Sequence, residues 1–164
     1  MTTNNVIRFL DSRKVIYEVF DLPREKLAAD EVARLLEASP SIVFKSIVIS
    51  RMGSGKHILA VVPGDREVNL KKLAKIVGEK KLIPATKKEA ENLTKLLTGG
   101  ISPLALINKG FEIVIHKSVL DHNLVHISGG ELGVNIRLPS PDLIDLTGAK
   151  VADISSPPPL ITPL

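Results

Sequence analysis

Lys45 is the residue whose type and position point most directly to chemistry. It stands in the run from Val43 to Ile47, which is rich in strand-forming residues. An ammonium group on the inward face of a strand would lose its hydration, which is costly unless the group meets an anion or the mouth of a pocket. The sequence therefore makes Lys45 a candidate site residue. Because side chains alternate along a strand, a solvent-facing Lys45 is the alternative.

The glycine-rich segment from Thr98 to Pro103 is a second candidate. Gly99 and Gly100 carry no Cβ, so their backbone N–H groups can approach a substrate carbonyl and stabilise negative charge, as in an oxyanion hole. The same pair could instead end the preceding helix, because glycine readily adopts the left-handed conformation found there. The local sequence leaves both interpretations open.

The segment from His126 to Gly130 is a third candidate, because it ends one predicted strand and turns into the next. Ser128 and Gly129 could line the same rim as the glycine-rich segment. They could equally form nothing more than a tight hairpin. Both interpretations are kept.

Several other chemistries lack the residues that they need. The chain has no cysteine, which excludes a thiolate nucleophile, a disulfide and a cysteine-based zinc site. The four histidines show no His-Glu-x-x-His spacing, and neither a Gly-x-Ser-x-Gly elbow nor an obvious pair of carboxylates occurs. We therefore expect no metal ion, no cofactor and no conventional catalytic triad.

The composition is that of one globular domain with a basic surface. The 164 residues are 44% hydrophobic but only 3% aromatic, so branched aliphatic side chains must form the core. The net charge of +4 favours an encounter with a polyanion, although an ordinary basic surface gives the same number. The absence of cysteine and glutamine beside many lysines and glutamates resembles proteins from thermophiles.

No segment of the sequence predicts an association with membranes. The first nine residues lack the apolar core of a signal peptide, and no apolar run approaches the roughly 20 residues needed to cross a bilayer. We therefore expect a cytoplasmic protein without a membrane partner.

Apolar periodicity and capping residues predict five helices. Asn69 and Gly78 provide an N-cap and a C-cap for the third helix. Thr86 and Glu89 form a capping box for the fourth, whose apolar stripe continues through Leu97. The helices are expected near residues 4–10, 30–38, 69–78, 86–98 and 140–146.

Runs of β-branched residues predict seven strands near residues 15–20, 42–50, 57–62, 82–84, 111–116, 124–128 and 134–138. The last three are expected to form an antiparallel meander. Since no repeat or linker divides the chain, we expect an α+β domain over residues 1–154, with a mixed, largely antiparallel, barrel-like sheet flanked by helices. Residues 155–164 are expected to form a peripheral Pro-rich tail.

Four motifs follow one another in the order Phe44-Lys45-Ser46, Val62 to Asp65 with Val68 to Leu73 after it, Gly99 to Pro103, and Ile127 to Gly130. In that order they resemble the YbaK family of aminoacyl-tRNA deacylases. These are stand-alone relatives of the editing domain of bacterial prolyl-tRNA synthetase. The resemblance covers nearly the whole chain and implies a YbaK-like single domain.

The resemblance also implies roles for individual residues. Lys45 corresponds to the characteristic active-site lysine, and Gly100 is expected to orient the substrate carbonyl through its backbone N–H. The other motif residues are expected to bind the substrate: Phe44, Ser46, Gly99, Ile101, Ser102, Pro103, Ser128 and Gly129. The implied reaction is trans-editing, the hydrolysis of the aminoacyl ester of mischarged tRNA. Cysteine or alanine on tRNA for proline is the leading substrate.

The implied partners are the acceptor end of the mischarged tRNA and, as a further protein partner, prolyl-tRNA synthetase. The sequence departs from the family pattern at Thr94 to Leu96, at Leu104 and at Ser46. These changes would alter the pocket for the amino acid. Two other functions stay open: a non-catalytic module that binds tRNA or a synthetase, and a small-molecule-binding domain.

Overall fold

The computed structural model describes residues 4–53 and 55–157. Its α-helices are α1 (Asn5–Ser12), α2 (Ala29–Leu35), α3 (Leu70–Val77), α4 (Lys87–Thr94) and α5 (Ser140–Thr147). Its strands are β1 (Glu18–Asp21), β2 (Phe44–Arg51), β3 (His57–Pro63), β4 (Glu67–Val68), β5 (Leu82–Pro84), β6 (Phe111–His116), β7 (Leu124–Ser128), β8 (Val134–Pro139), β9 (Lys150–Ala152) and β10 (Ser155–Ser156). Three short 3-10 helices lie at Pro40–Ile42, Pro103–Ala105 and Lys117–Asp121.

The strands form three sheets with the orders β1-β8-β7, β5-β2-β3-β6-β9 and β10-β4. The β3–β6 and β6–β9 pairs are parallel, and the other ladders are antiparallel. The predicted α+β fold with a mixed, largely antiparallel sheet is therefore confirmed. The expected barrel is not formed, because within residues 4–53 and 55–157 the strands make separate sheets that do not close.

The expected antiparallel meander of the last three long strands is wrong. β7 and β8 pair as expected, but β6 pairs in parallel with β3 and β9. The continuous run Ile113, Val114 and Ile115 is buried on both faces. Such a run suits an interior strand that pairs in parallel better than a strand with one wet face.

The five-stranded sheet carries a hydrophobic core on each face. Leu59 and Val61 of β3 belong to a core shared with β7, β8, α1 and α5. Ile58 and Val62, which point the other way, belong to a core shared with α3. The alternation follows from strand geometry, and it fixes β2 and β3 firmly between two layers.

Most of the predicted helix caps are confirmed. The side chain of Asn69 accepts a hydrogen bond from the N–H of Lys72, and Asn4 caps α1 in the same way by accepting one from Ile7. The capping box at the start of α4 is present as predicted. Its end is not, because Lys95 adopts a left-handed conformation (φ 61°) and stops the helix at Thr94. Leu97, expected to face inward, is 52% exposed.

The predicted boundary between the folded domain and the peripheral tail, at residue 155, lies too early in the chain. Ser155 and Ser156 pair with Val68 and Glu67, and Ser155 is fully buried beside Arg66, which donates to its hydroxyl at 3.1 Å. The folded chain therefore continues beyond Ile154, since β4 needs this partner strand. The last part of the predicted tail, 158–164, lies outside the described residues.

No helix in the described part of the chain is long and apolar enough to span a bilayer.

The two larger sheets meet where Val43, just before β2, forms a parallel bridge with His126 in β7. Beyond this bridge β2 runs along β3, while β5 begins to pair with it only at Ile49. The strand edge between these two points carries Phe44, Lys45 and Ser46. The meeting of the sheets therefore leaves open the part of β2 in which the sequence placed its candidate lysine.

We expect Gly129→Ala to lower the free energy of unfolding by about 1–3 kcal/mol through overpacking. A Cβ at this position would lie 2.4 Å from Cγ1 of Val134, which sits across the β7–β8 turn. Urea unfolding of the single and double variants measures the effect. The same substitution should cost clearly less in a Val134→Ala background, and equal costs in both backgrounds would contradict this account.

Candidate active site

A cavity opens where β2, the start of β8 and the glycine-rich segment from Thr98 to Pro103, here called the Gly99 segment, come together. Its volume is about 220 Å³, below the roughly 300–1,000 Å³ of pockets for drug-sized ligands. Apolar residues form much of its wall: Leu22, Leu27, Ala29, Val32, Val43, Phe44, Ile47, Ile101 and Val134. Polar and charged residues also line it: Glu25, Lys45, Ser46, Thr98, Ser128 and Asn135. Its size suits a single aminoacyl group better than a complete nucleotide.

The backbone of β2 offers an unpaired edge to this cavity. Val43 O accepts from Gly64 N on the β3 side, whereas Val48 O accepts from Ala85 N on the opposite side. Backbone groups of successive residues in a strand alternate between its two edges. The N–H and C=O of Ser46 therefore point away from β3, along the stretch that has no partner strand. They can donate to and accept from a bound substrate.

Lys45 lies at the mouth of the cavity. Its side chain is 21% exposed, and Nζ donates to Glu67 Oε1 at 3.1 Å and to Gly64 O at 3.4 Å. Glu67 is 84% exposed, so water weakens this ion pair. The sequence left open whether Lys45 meets a pocket or faces solvent. In the structure it does both, because Lys45 lines the cavity and its side chain also reaches the surface.

The Gly99 segment packs closely against the turn between β7 and β8. A Cβ on Gly100 would lie 3.0 Å from Cα of Glu131, and one on Gly99 would lie 3.1 Å from the side chain of Leu132. Gly99 also has φ 97°, a conformation that favours glycine. This close approach, and not the end of α4, is the structural reason for the glycine pair.

The Gly100 N–H, predicted to donate to the substrate, already has an acceptor within the protein. It donates to Leu97 O at 2.7 Å, and Gly100 is not among the residues that line the cavity. The structure shows a structural contact for Gly100, and its expected catalytic contribution stays a prediction. Ser46 N–H is the backbone donor that the strand geometry directs toward the cavity.

The remaining predicted site residues divide into wall and support. Ser128 lines the cavity, and its hydroxyl donates to Gly99 O at 3.1 Å, which ties the hairpin to the glycine segment. Ser102 and Pro103 are buried at the start of a 3-10 helix, where Ser102 Oγ accepts from Leu104 N. The backbone N–H of Gly129 donates a hydrogen bond to Val134 O within the hairpin. Ser102, Pro103 and Gly129 therefore lie outside the cavity lining, and they support it from behind.

Glu91 anchors one side of the cavity. Its Oε2 accepts from the N–H of Thr98 at 2.7 Å and pairs with Nζ of Lys26 at 2.8 Å. The hydrogen bond from Lys26, with those from Thr98, lowers the pKa of Glu91 to about 2. One carboxylate thus holds the Gly99 segment against the chain between β1 and α2.

Asn135 and His126 form a polar pair that the sequence analysis did not identify. Both are almost fully buried, and His126 Nδ1 lies 2.8 Å from Asn135 Oδ1. Burial lowers the pKa of His126, and Arg137 acts in the same direction, while the bond to Asn135 and the charge of Glu18 oppose this shift. Polar residues alternating with apolar ones along β7 and β8 gave the only signal, and that pattern ordinarily indicates a solvated face.

Two further polar networks lie away from this cavity. Arg51 pairs with Glu79 at 2.8 Å and with Glu112 at 3.1 Å, beside a second hollow of about 400 Å³. His116 is buried next to Asp153, 3.6 Å from its carboxylate. In the described residues, no group of three or more histidine or acidic side chains is arranged to hold a metal ion.

Comparison with known proteins identifies the family. The model of the aminoacyl-tRNA editing domain matches residues 24–146, which is most of the 164-residue chain. The chain therefore belongs to the aminoacyl-tRNA editing domain family, and the predicted family is confirmed.

Individual relatives agree with this assignment. EbsC of Enterococcus faecalis, named as a candidate Cys-tRNA(Pro)/Cys-tRNA(Cys) deacylase, is 30% identical over 154 residues, or 93% of each chain. The prolyl-tRNA editing protein ProX of Acetoanaerobium sticklandii is 23% identical over 141 residues, 84% of this chain and 85% of ProX. A solved structure described as a candidate trans-editing enzyme for prolyl tRNA synthetase superposes with a TM-score of 0.78 at 27% identity, covering 95% of this chain and all of that one.

The buried histidines predict a loss of stability in mild acid. Burial lowers the pKa of both His116 and His126 below the ordinary value near 6.5. Below about pH 6.5 the histidines bind more protons in the unfolded chain than in the folded protein. The free energy of unfolding is therefore highest above that pH. It falls as the pH drops through about 6.5 toward the lower pKa values of the folded state. Urea unfolding from about pH 7.5 to about pH 5.5 should show this decline, and less of it in His126→Phe. An unchanged slope in that variant would contradict the burial argument.

Removing the Glu91 anchor should loosen the cavity wall without unfolding the protein. In Glu91→Ala we expect faster amide hydrogen exchange at Thr98 and Gly100 than in the parent, because Thr98 N–H loses its acceptor. Glu89→Ala is the control, since it removes a glutamate of the same helix that caps the start of α4 and makes no hydrogen bond to Thr98. Equal exchange in the two variants would show that Glu91 does not hold the segment.

Proposed function

We propose that the protein is an aminoacyl-tRNA deacylase that edits in trans, hydrolysing the ester of a mischarged tRNA. The observation that carries the proposal is the small apolar cavity with Lys45 at its mouth and the unpaired β2 edge along its wall. Membership of the editing-domain family supports the reaction class. The functions stated in the names of EbsC and ProX support the same reaction class.

The geometry supports binding of the aminoacyl side chain and of the ester at two different parts of the site. The aminoacyl side chain occupies the apolar cavity, and the ester lies along the β2 edge. Ser46 N–H donates to the ester carbonyl, which orients it and stabilises the oxyanion that forms when water attacks the carbon. The bond from that carbon to the ribose oxygen then breaks, the ribose oxygen takes up a proton, and the free amino acid and the tRNA leave.

A triad is not required for this reaction. An aminoacyl ester is already activated, so a positioned water molecule and stabilisation of negative charge suffice. Lys45 places its ammonium group beside the terminal adenosine and its phosphate. Its present partner Glu67 is highly exposed, so phosphate can replace that carboxylate at little cost.

The relatives support a proposal for the substrate tRNA and for the setting of the reaction. The names of EbsC and ProX favour tRNA for proline, and that of EbsC favours cysteine as the removed amino acid. Alanine is the second candidate, which the family resemblance implies. The net charge of +4 supports docking of the tRNA acceptor end, which should weaken with added salt. The reaction belongs in the cytoplasm, where aminoacyl-tRNA is made, and prolyl-tRNA synthetase is the protein partner to test.

The experiment follows the loss of alanine, cysteine and proline from charged tRNA for proline with Lys45→Met. Methionine keeps the length of the side chain and removes the charge, so we expect kcat/KM to fall at least about tenfold, the equivalent of about 1.4 kcal/mol. Lys88→Met on the exposed side of α4 makes the same change in net charge and should behave like the parent.

Two results would overturn parts of this proposal. Equal activity in Lys45→Met and Lys88→Met would remove Lys45 from the reaction. Salt-sensitive tRNA binding by the parent protein without turnover of any ester would instead identify a binding module of the same fold.

A further inference from the structure

Asn135 belongs to the most deeply buried part of the cavity lining. It is 4% exposed, and its neighbours Val134 and Val43 are 5% and 2% exposed. Lys45, another residue of the lining, is in contact with solvent. An aminoacyl group whose ester lies near Lys45 and the β2 edge would therefore direct its side chain toward Asn135.

Only one of the two polar atoms of the Asn135 side chain has a hydrogen-bond partner in the described protein. Its Oδ1 faces Nδ1 of His126 at 2.8 Å, whereas Nδ2 forms no hydrogen bond with a described residue. Nδ2 is also not an enclosed orphan, because the cavity reaches Asn135. The Nδ2 donors thus have no partner in the described protein, and their residue lines a cavity whose wall is largely apolar.

The Oδ1 end of the Asn135 amide faces the ring of His126. The ring packs against Phe20 with centroids 5.3 Å apart and is almost fully buried, which favours the neutral imidazole. A neutral imidazole with its proton on Nδ1 donates to Asn135 Oδ1 and leaves Nδ2 pointing away. Because β7 and β8 pair Ser128 with Asn135, the amide also has a rigid base.

We propose that Asn135 is a specificity residue that donates a hydrogen bond to an acceptor on the side chain of the substrate's amino acid. The site then prefers a small side chain with a hydroxyl or thiol over an apolar one of the same size. An apolar side chain would leave the buried amide donors unpaired, and such a loss discriminates more strongly than a missing methylene. His126 is the positioning residue for this amide. The inference rests on the proposed deacylase function.

The test compares seryl and 2-aminobutyryl esters on the same tRNA, since these side chains differ by a hydroxyl in place of a methyl. The parent protein should show a ratio of kcat/KM of at least about tenfold in favour of serine. In Asn135→Leu, which keeps the shape but removes the donors, the ratio should fall to near one, with 2-aminobutyrate hydrolysed at least as well as before. Asn123→Leu, an exposed position just before β7, is the matched control and should keep the parent ratio.

Substitutions of His126 separate positioning from packing. His126→Phe keeps the ring beside Phe20 but removes the bond to Asn135, so the serine preference should fall several-fold. His126→Gln restores a donor and should recover part of the ratio. Loss of packing alone would lower both kcat/KM values together and leave their ratio unchanged.

The outcomes separate this inference from the proposed function. If Asn135→Leu lowers both substrates equally, Asn135 is structural and the inference is overturned, while ester hydrolysis by the parent still supports the deacylase. If the parent hydrolyses no ester, the proposed function fails. The side-chain amide resonance of Asn135 in the parent protein then decides the inference. It should shift on adding the seryl amide of 3′-amino-adenosine but not the 2-aminobutyryl amide, and equal shifts would overturn the inference.

Discussion

The bridge between Val43 and His126 is the contact on which the arrangement of the site depends. It joins the three-stranded sheet to the five-stranded sheet and fixes the end of β2 beside β7. Because β5 pairs with β2 only from Ile49 onward, the intervening edge stays without a partner strand. An unpaired strand edge is a row of hydrogen-bonding groups, which proteins normally cover. Here it forms the wall of a cavity and is available to a substrate.

The rest of the structure keeps that edge open and the cavity narrow. The five-stranded sheet is clamped between two cores, so β2 cannot shift its register without exposing buried residues. Ser128 and Glu91 tie the Gly99 segment to the hairpin and to the chain before α2. The glycine pair allows this segment to approach the β7–β8 turn closely. A preorganised cavity of this kind suits an activated ester, for which position and charge stabilisation replace a nucleophile.

The sequence was informative where local signals decide the structure. Asn69, Gly78 and the capping box at Thr86 act over a few residues, and Lys45 stood out because a charge interrupted an apolar strand. Long-range pairing was harder to predict: the parallel partners of β6 lie about fifty residues before it and about thirty-five after it, so nothing nearby excluded a meander. Asn135 and its pairing with His126 were missed because they also depend on contacts between distant segments. Their strand pattern predicts a solvated face, and only the neighbouring sheet buries it.

The central claim is that the cavity receives the aminoacyl group of a charged tRNA end. A crystal structure of the protein with an aminoacyl amide of 3′-amino-adenosine, which cannot be hydrolysed as an ester, tests it most directly. The account predicts the amino-acid side chain inside the cavity between Ile101 and Asn135, the carbonyl oxygen within hydrogen-bond distance of Ser46 N–H, and the adenosine on the side of Lys45. A ligand bound elsewhere, or bound with its adenosine in the cavity and its carbonyl away from β2, would contradict the account.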